Sequence, residues 1–425
     1  MMTRKLDLRS PTVLFLGIGL GIILLVQILI STGILNNFWA TLLRQGAVLA
    51  IVSIGLNLIY GFNGQFSLGQ WGFYAIGAYA AADVTYRWTQ QDSASGLMVL
   101  LLLVTLVGLA LWGVLKLLER VHGLDALSAF AITLVAVVAA GAVAVFIGNL
   151  LTGPVTALLN FLPVALANQI VFFIAVLLAG GLAAEVSYIF GLPVLTLGSD
   201  YFGIATLGFT IIVKVLLDNS DTMFGFEEMK GARGMVGIPL MTSWLWVSLF
   251  LLVILIVTRN LLHSSSGRAI IAVREDEIAA KAMGIDVAAQ KTLTFVIGSL
   301  FAGLAGGLYA HINGFLHPNT FNFIKSFDPM IIIVFGGLGS ITGTLLTSFV
   351  FYLVLEGALR LILPAGAELW RYVVYPLMLI IMMLVRPAGL FGNYELPFLR
   401  QTLPALSEKL LGKKKPETAS EGGDA

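Results

Sequence analysis

The chain has 425 residues, of which 58% are hydrophobic and only 11% charged, with a formal net charge of +1 and a mean hydropathy of +0.96. Soluble domains carry about twice that charge, so the composition is that of a polytopic membrane protein, and the charge balance gives no reason to expect nucleic acid as a partner. With no Cys there are no disulfides, thiol chemistry or Cys-based metal sites, and the four scattered His offer no metal-ligand spacing.

Arg4, Lys5 and Arg9 precede an apolar run from Pro11 to Ile30, long enough at about 20 residues to span a bilayer. No small-residue cleavage site follows. We therefore expect an uncleaved first helix with its N-terminus in the cytoplasm, in preference to a signal peptide. Further apolar runs cover roughly 42–60, 67–83, 97–118, 127–150, 168–190, 201–217 and 244–261, each near spanning length. Starting inside, eight crossings bring the chain back inside at His263. Lys116 and Arg120 then fall on the cytoplasmic side, and Asp218, Asp221, Glu227 and Glu228 outside, as the Lys/Arg bias requires.

The segment from His263 to Lys291 is the long charge-rich stretch between two apolar runs. Within it, Asp276 to Met283 reads as a short helix. Glu275, Asp276 and Glu277 crowd the start, where the helix dipole favours negative charge, and Gly284 supplies the left-handed residue at the end. Ile278, Ala279, Ala282 and Met283 share one face, and Glu277 and Lys281 have the spacing of an i,i+4 pair. At about 12 Å such a helix cannot hold itself together in water and needs a surface. That surface is either its own protein or a groove on a partner.

After the loop come runs at roughly 292–312, 329–355 and 370–385. Three crossings would leave the tail, with Lys413, Lys414 and Lys415, outside, against the positive-inside bias. The conflict disappears if Asp328 to Glu356 does not cross. Gly336-Gly337-Leu338-Gly339-Ser340 interrupts it in the middle, so we expect a broken or re-entrant element. Gly61-Phe62-Asn63-Gly64-Gln65-Phe66-Ser67-Leu68-Gly69 interrupts the chain early with the same Gly-x-x-Gly spacing. Paired breaks of this kind point to a transport site near the bilayer midplane; close helix packing through small residues is the alternative. The fold class expected is all-α, with about ten transmembrane helices plus broken or re-entrant elements.

The run GRAIIAVREDEIAAKAMGI resembles the cytoplasmic coupling loop of ATP-binding-cassette importer permeases, in the version of the branched-chain amino acid permease family, LivH/LivM type. Ile278 stands where the general pattern has Glu, with Glu277 one position earlier. The stretch from Ile54-Gly55-Leu56-Asn57 through Gly77-Ala78-Tyr79 is similar to another of that family's segments. So are Asp200-Tyr201-Phe202-Gly203-Ile204-Ala205-Thr206-Leu207-Gly208-Phe209, Gly231-Ala232-Arg233-Gly234, Ile333 to Ser340, and Arg386-Pro387-Ala388-Gly389-Leu390-Phe391. Two departures stand out. Some 120 residues separate Tyr79 from Asp200, so Trp112 to Gly191 is expected to hold two extra helices. Gly198-Ser199 stands where the family has Arg-Gly.

The resemblance implies a transmembrane permease domain over 1–405, with 263–291 as its coupling loop, and a polar tail over 406–425 that we expect to be disordered. It implies that Gly267, Arg268, Arg274, Glu275, Asp276, Glu277, Ala279, Ala280, Met283 and Gly284 couple to an ATPase. The translocation path would draw on Asn57, Asn63, Gly64, Gln65, Ser67, Tyr201, Thr206, Gly336, Gly337, Gly339 and Ser340. It further implies ATPase subunits, a second related permease (or a homodimer), a soluble solute-binding protein, and a bacterial inner membrane.

No Gly-x-x-x-x-Gly-Lys-[Ser/Thr] occurs, and Gly412-Lys413-Lys414-Lys415 lacks the rest of a phosphate loop. ATP would therefore be used by a partner, with no cofactor bound by this chain, no catalytic residue and no metal. Ionisable groups inside spans are Arg44, Glu185, Lys214 and Glu356. Glu185 is the candidate titrating group for an ion-coupled carrier, but no basic residue lies within two turns of it; Lys214 and Arg44 read as snorkelling side chains. A path of Gly, Ser, Thr, Asn and aromatic groups suits a neutral or zwitterionic solute. The expected cargo is branched-chain or other neutral amino acids, with urea or short amides as the alternative within the family.

Overall fold

The computed structural model describes residues 11–120, 126–195, 199–223 and 228–358, and further on 377, 380–382, 384–386, 388–392 and 395–396. Arg4, Lys5, Arg9, Gly198, Glu227, the side chain of Glu356, most of the 370–385 run and the 406–425 tail lie outside the described residues.

The expected helices form, and polar caps set where several of them begin. Helices α1 (Pro11–Ser31) and α2 (Asn37–Leu56) are followed by α3 (Gln70–Gln91), α4 (Ser95–Arg120), α5 (Ala126–Asn160), α6 (Val164–Val194) and α7 (Ser199–Asp218). The short α8 (Ser220–Met223), then α9 (Trp244–His263), α10 (Ser265–Glu275), α11 (Glu277–Ala282) and α12 (Val287–Asn313) continue the chain, and α13 (Phe327–Gly336) and α14 (Ile341–Phe351) close the fully described part. Asn36 caps α2 through the Trp39 amide at 3.1 Å, Ser264 caps α10 through Gly267 at 3.1 Å, and Asp286 caps α12 through Ala289 at 3.0 Å. Among the described residues, seven helices are long and apolar enough to cross a membrane: those within α2, α4, α5, α6, α7, α9 and α12. Helix α3 has the length but is more polar, carrying Asp83, Arg87 and two terminal glutamines.

The core is α12, wrapped by α3, α6 and α2. Its Gly298, Ala302, Gly303, Ala305, Gly306 and Gly307 let neighbouring backbones come close. A Cβ at Gly77 of α3 would strike the Gly303 backbone, and one at Gly55 of α2 would stand 2.7 Å from the Gly298 oxygen. Thr85 Oγ1 meets His311 Nε2 at 2.7 Å, so α3 runs parallel to α12. Gly180 packs on Leu304 and Gly191 on Phe295, so α6 runs antiparallel. Gln45 bonds Asn313 at 3.1 Å, so α2 is antiparallel to α12. The paired contacts of α1 with α9 (Ile23–Trp244, Gly19–Leu252), α4 with α6 (Val104–Gly181, Gly108–Glu185), α4 with α5 (Val99–Gly148, Ala94–Thr156), α7 with α3 (Thr206–Gly69, Phe209–Gly72) and α9 with α6 (Trp246–Gln169, Phe250–Phe173) make α1 to α7 and α9 alternate in direction. The α10–α11 segment therefore leaves at the end where α1 begins, as eight crossings require.

Two helices, α5 and α6, fill most of the Trp112–Gly191 stretch, as expected. Helix α6 is central, with Val171, Ala175, Val176, Ala179 and Ala183 buried. The outer pair is α4 and α5, and α5 shows Val135, Val138, Phe146 and Leu150 on its surface. Of the charged groups inside spans, Arg44 donates to the Thr242 carbonyl at 3.2 Å, and Lys214 pairs at 2.5 Å with Asp218, one turn nearer the end of α7. Glu185 packs against Gly108 of α4.

The 328–356 run is re-entrant. Gly336 at the end of α13 packs on Gly343 at the start of α14, and the returning limb lies along α2. Asn57, just past the end of α2, holds Ser340, Gly46 meets Phe349 and Tyr352, and Gly357 meets Trp39 and Leu42. Traversed from 340 to 358, the limb thus retraces α2 toward its N-terminus, which is the end opposite α11. Residues 388–392 come back to the break, where the Leu390 amide donates to the Phe335 carbonyl at 2.8 Å and the Phe391 amide to that of Gly336 at 3.2 Å.

Candidate functional site

Two breaks in helical structure meet at one place. The first follows α2, where Asn57–Phe62 forms a π-helical turn and Gly64 takes φ 77°. The second is Gly337 (φ 115°) to Ser340, with Gly339 at φ 81°, conformations that favour glycine. Asn57 joins them. Its Nδ2 donates to the Ser340 carbonyl and to Thr344 Oγ1, both at 2.9 Å, and its Oδ1 accepts from the Gly339 amide at 2.9 Å. Asn57 is fully buried, and both of its amide protons are spent on the second break.

Asn63 donates to Thr294 Oγ1 of α12 at 2.8 Å. Thr294 lies seven residues into α12, about 10 Å from its start, so the breaks sit toward the α11 end and not at the middle of the bundle. Arg274 of α10 reaches into the breaks, donating from Nη1 to the Gly61 carbonyl at 2.6 Å. The same nitrogen would stand 3.0 Å from a Cβ on Gly339.

Helix α11 is capped at both ends. Asp276 Oδ1 accepts from the Ile278 and Ala279 amides at 2.9 Å each. At the other end Gly284 takes φ 82°, with its amide on the Lys281 carbonyl at 3.0 Å and that of Ile285 on the Ala280 carbonyl at 3.1 Å, a Schellman arrangement. The expected Glu277–Lys281 pair is replaced by Glu277–Lys291 at 2.7 Å, which ties α11 to α12. Ala280, 4% exposed, packs inward, while Ile278 and Met283 are each 83% exposed. Ala279 and Ala282 lie on the same exposed side. An apolar face is thus held rigid and unpartnered within this chain.

The remaining residues marked from the sequence distribute as follows. Gly267 is buried in the α9–α10 corner, where a Cβ would strike the Leu261–Leu262 backbone, and Arg268 donates to the His263 carbonyl at 3.2 Å. Both residues belong to that corner and not to the α11 face. Glu275 is exposed beside Arg274, at 3.9 Å. Gly64 rests on Arg274, and Ser67 accepts from the Gly69 amide at 3.3 Å. Thr206 of α7 accepts from the Leu68 amide at 3.0 Å. Gly336 and Gly337 form the end of α13, whereas Tyr201, 67% exposed, lies apart on the outer face of α7. Two participants were missed. Glu395 accepts from the Ile341 and Thr342 amides at 2.5 and 3.1 Å, capping α14 from the chain's far end. Lys291 escaped notice because its partner lies 14 residues back.

Comparison with known proteins decides the family. The model described as "Branched-chain amino acid transport system / permease component" matches residues 38–157 and 127–383. The chain belongs to this permease family. The permease is 32% identical over 248 residues to the high-affinity branched-chain amino acid transport system permease protein LivM of Escherichia coli K12, covering 52% of this chain and 57% of that protein. It is 31% identical over 179 residues to LivH of the same organism, covering 42% and 55%. It is 25% identical over 267 residues to a probable LivM of Methanocaldococcus jannaschii, covering 57% and 76%. The permease thus spans about three fifths of the length of the first relatives it matches. No solved structure matches it. Its fold is accordingly that of a multi-pass, all-α membrane permease.

Proposed function

We propose that this permease is a membrane-spanning subunit of an ATP-driven importer that moves branched-chain or other neutral amino acids across a bacterial inner membrane. The observation that carries the reading is the outward apolar face of α11, fixed by two caps and a salt bridge yet left without a partner. An ATPase subunit would seat this face, and ATP would be bound and hydrolysed there. The Arg274–Gly61 bond would carry its movement into the two breaks. A soluble binding protein would deliver cargo at the opposite end, and a second, related permease would complete the path. The relatives' descriptions as branched-chain amino acid permeases support the cargo class.

The test is reconstitution of the purified assembly in liposomes. ATP-dependent uptake of labelled leucine that survives collapse of proton and sodium gradients is expected. Uptake that follows the gradients would replace the reading with an ion-coupled carrier, and uptake of urea in place of leucine would change the cargo. Failure of any ATPase to co-purify would remove the mechanism.

A further inference from the structure

Small residues close the contacts among α4, α5 and α6 away from α11 and in the middle of the bundle. A Cβ on Gly148 of α5 would stand 2.8 Å from Val99 of α4, and one on Gly181 of α6 would stand 3.0 Å from Val104. On the α11 side the facing residues are large, among them Leu111, Leu115, Phe130, Tyr188 and Leu192, and a cavity of about 440 Å³ lies between the three helices. Ligand sites occupy roughly 300–1,000 Å³. We propose that this cavity binds one acyl chain of a membrane phospholipid, drawn from the leaflet on the α11 side.

The cavity lies within the spans. Helices α4, α5 and α6 are each long and apolar enough to cross a membrane, and α4 ends, α5 begins and α6 ends on the α11 side. On the outer face of α4, Trp112 is 57% exposed and the Lys116 ammonium stands 4.0 Å from the centre of its ring. An aromatic ring with a cation beside it near a helix end marks a membrane–water interface. Leu111 to Leu118, which line the cavity from α4, cover about 10 Å of that helix. The cavity therefore begins at the level of the interface and runs toward the bilayer middle, which is the course of a lipid chain.

Its few polar groups favour an amphiphile over water. Thr133 gives its hydroxyl proton to the Ala129 carbonyl at 2.8 Å. Tyr188 has no hydrogen-bond partner among the described residues. A buried water needs about two to four polar partners, more than one phenol supplies, whereas hydrocarbon gains many weak contacts from such walls. The phenol can donate once, and a phospholipid ester carbonyl is the acceptor found at interface depth. Among the described residues no charged side chain lines the cavity. Glu185, one turn deeper on α6, lies against Gly108 of α4, and Lys116 lies on the outer face with Trp112. Headgroup charge is therefore not read. A seated chain would fill the gap between the outer α4–α5 pair and α6 and hold that pair to the core.

The experiment is native mass spectrometry of the purified full-length chain, titrated in mild detergent with phosphatidylglycerol or phosphatidylethanolamine. One phospholipid per chain should be retained saturably, with the two headgroups within about twofold of each other. Ala129→Trp, which fills the cavity from α5, should abolish that retention. Tyr188→Phe should weaken it about fivefold, as the loss of one hydrogen bond predicts, and Lys116→Ala should leave it unchanged. Where Ala129→Trp lowers the melting temperature, Leu115→Trp, entering from the exposed edge of α4, decides in its place. Equal retention in the filled variant, or undiminished retention in Tyr188→Phe, would overturn the site. So would a preference for phosphatidylglycerol that Lys116→Ala removes, since the lipid would then be held at the outer surface only. The result depends on neither cargo nor ATPase, so it stands or falls apart from the importer reading.

Discussion

The guanidinium of Arg274 donates to the carbonyl of Gly61 at 2.6 Å across 213 residues of sequence. It thereby connects α10, which leads directly into α11, with the turn where α2 loses its regular hydrogen bonding. Because the same nitrogen lies against Gly339, one side chain touches both breaks. A displacement of α11 has a short, stiff route into the bundle.

Replacing Arg274 by Ala is therefore expected to separate hydrolysis from transport. In proteoliposomes of the complete assembly, ATPase activity should stay within about twofold of wild type while leucine uptake per ATP falls by more than tenfold. Arg274→Lys should recover part of the loss, since an ammonium can reach the carbonyl but lacks the planar fork that spans two partners. Unchanged uptake per ATP in Arg274→Ala would mean that the connection runs elsewhere.

The Asn57 amide makes a second, purely structural prediction. Asn57→Leu is close in size but orphans the Gly339 amide and removes a donor from the Ser340 carbonyl. A buried polar group left unpaired costs about 1–3 kcal/mol. Thr344 retains its own bond to the Ser340 carbonyl at 2.8 Å, so the loss at that carbonyl is partial. A fall of several degrees in melting temperature in detergent is expected, and an unshifted midpoint would show that the re-entrant hairpin is held by packing alone.

Much of this arrangement was legible in the sequence where the physics is local. Asp276 and Gly284 mark the ends of α11 because capping depends on residues a few positions apart, and the helix runs from Glu277 to Ala282 between them. The re-entrant hairpin followed from charge counting plus three glycines, and the eight helices of alternating direction followed from apolar run lengths. What stayed hidden depends on tertiary placement. Glu277 prefers Lys291 to Lys281 because α12 returns beside α11. The two breaks read as a pair, but nothing in their spacing says that Asn57 joins them or that Arg274 reaches both. Helices α5 and α6 are both strongly apolar, so hydropathy alone cannot tell the lipid-facing one from the central one. The Ala175-x-x-x-Ala179-x-x-x-Ala183 ladder of α6 was the available signal, because small residues mark helix contacts in a membrane.

Glycine substitutions test the packing of α12. At Gly77 or Gly306 a methyl group would enter the facing backbone of α12 or α3, where no flexible side chain can yield. Overpacking costs typically 1–3 kcal/mol, and more is expected where backbone meets backbone, so Gly77→Ala and Gly306→Ala should lower the yield of monodisperse protein severalfold. At Gly113 of α4 there is nothing within 4 Å. Gly113→Ala should leave yield and melting temperature unchanged, and equal behaviour of all three variants would contradict the close approach of α3 to α12.

The α11 face can be separated from the stability of the chain because its two sides differ so sharply in exposure. Ile278 and Met283 are 83% exposed and contribute little to the isolated fold, so Ile278→Asp and Met283→Glu should melt like the wild type. Each places a charge at the centre of an apolar contact, where an unpaired ion is strongly disfavoured, so retention of the ATPase through purification should drop at least tenfold. Ala280→Glu forces a carboxylate into the inward side and should instead lower the melting temperature of the chain itself. Size-exclusion profiles and thermal melts of the three variants, run beside wild type, distinguish these outcomes. If Ile278→Asp and Met283→Glu both keep the ATPase, the outward face of α11 is not the joint, and the driving contact has to be sought at another surface of the α10–α12 segment.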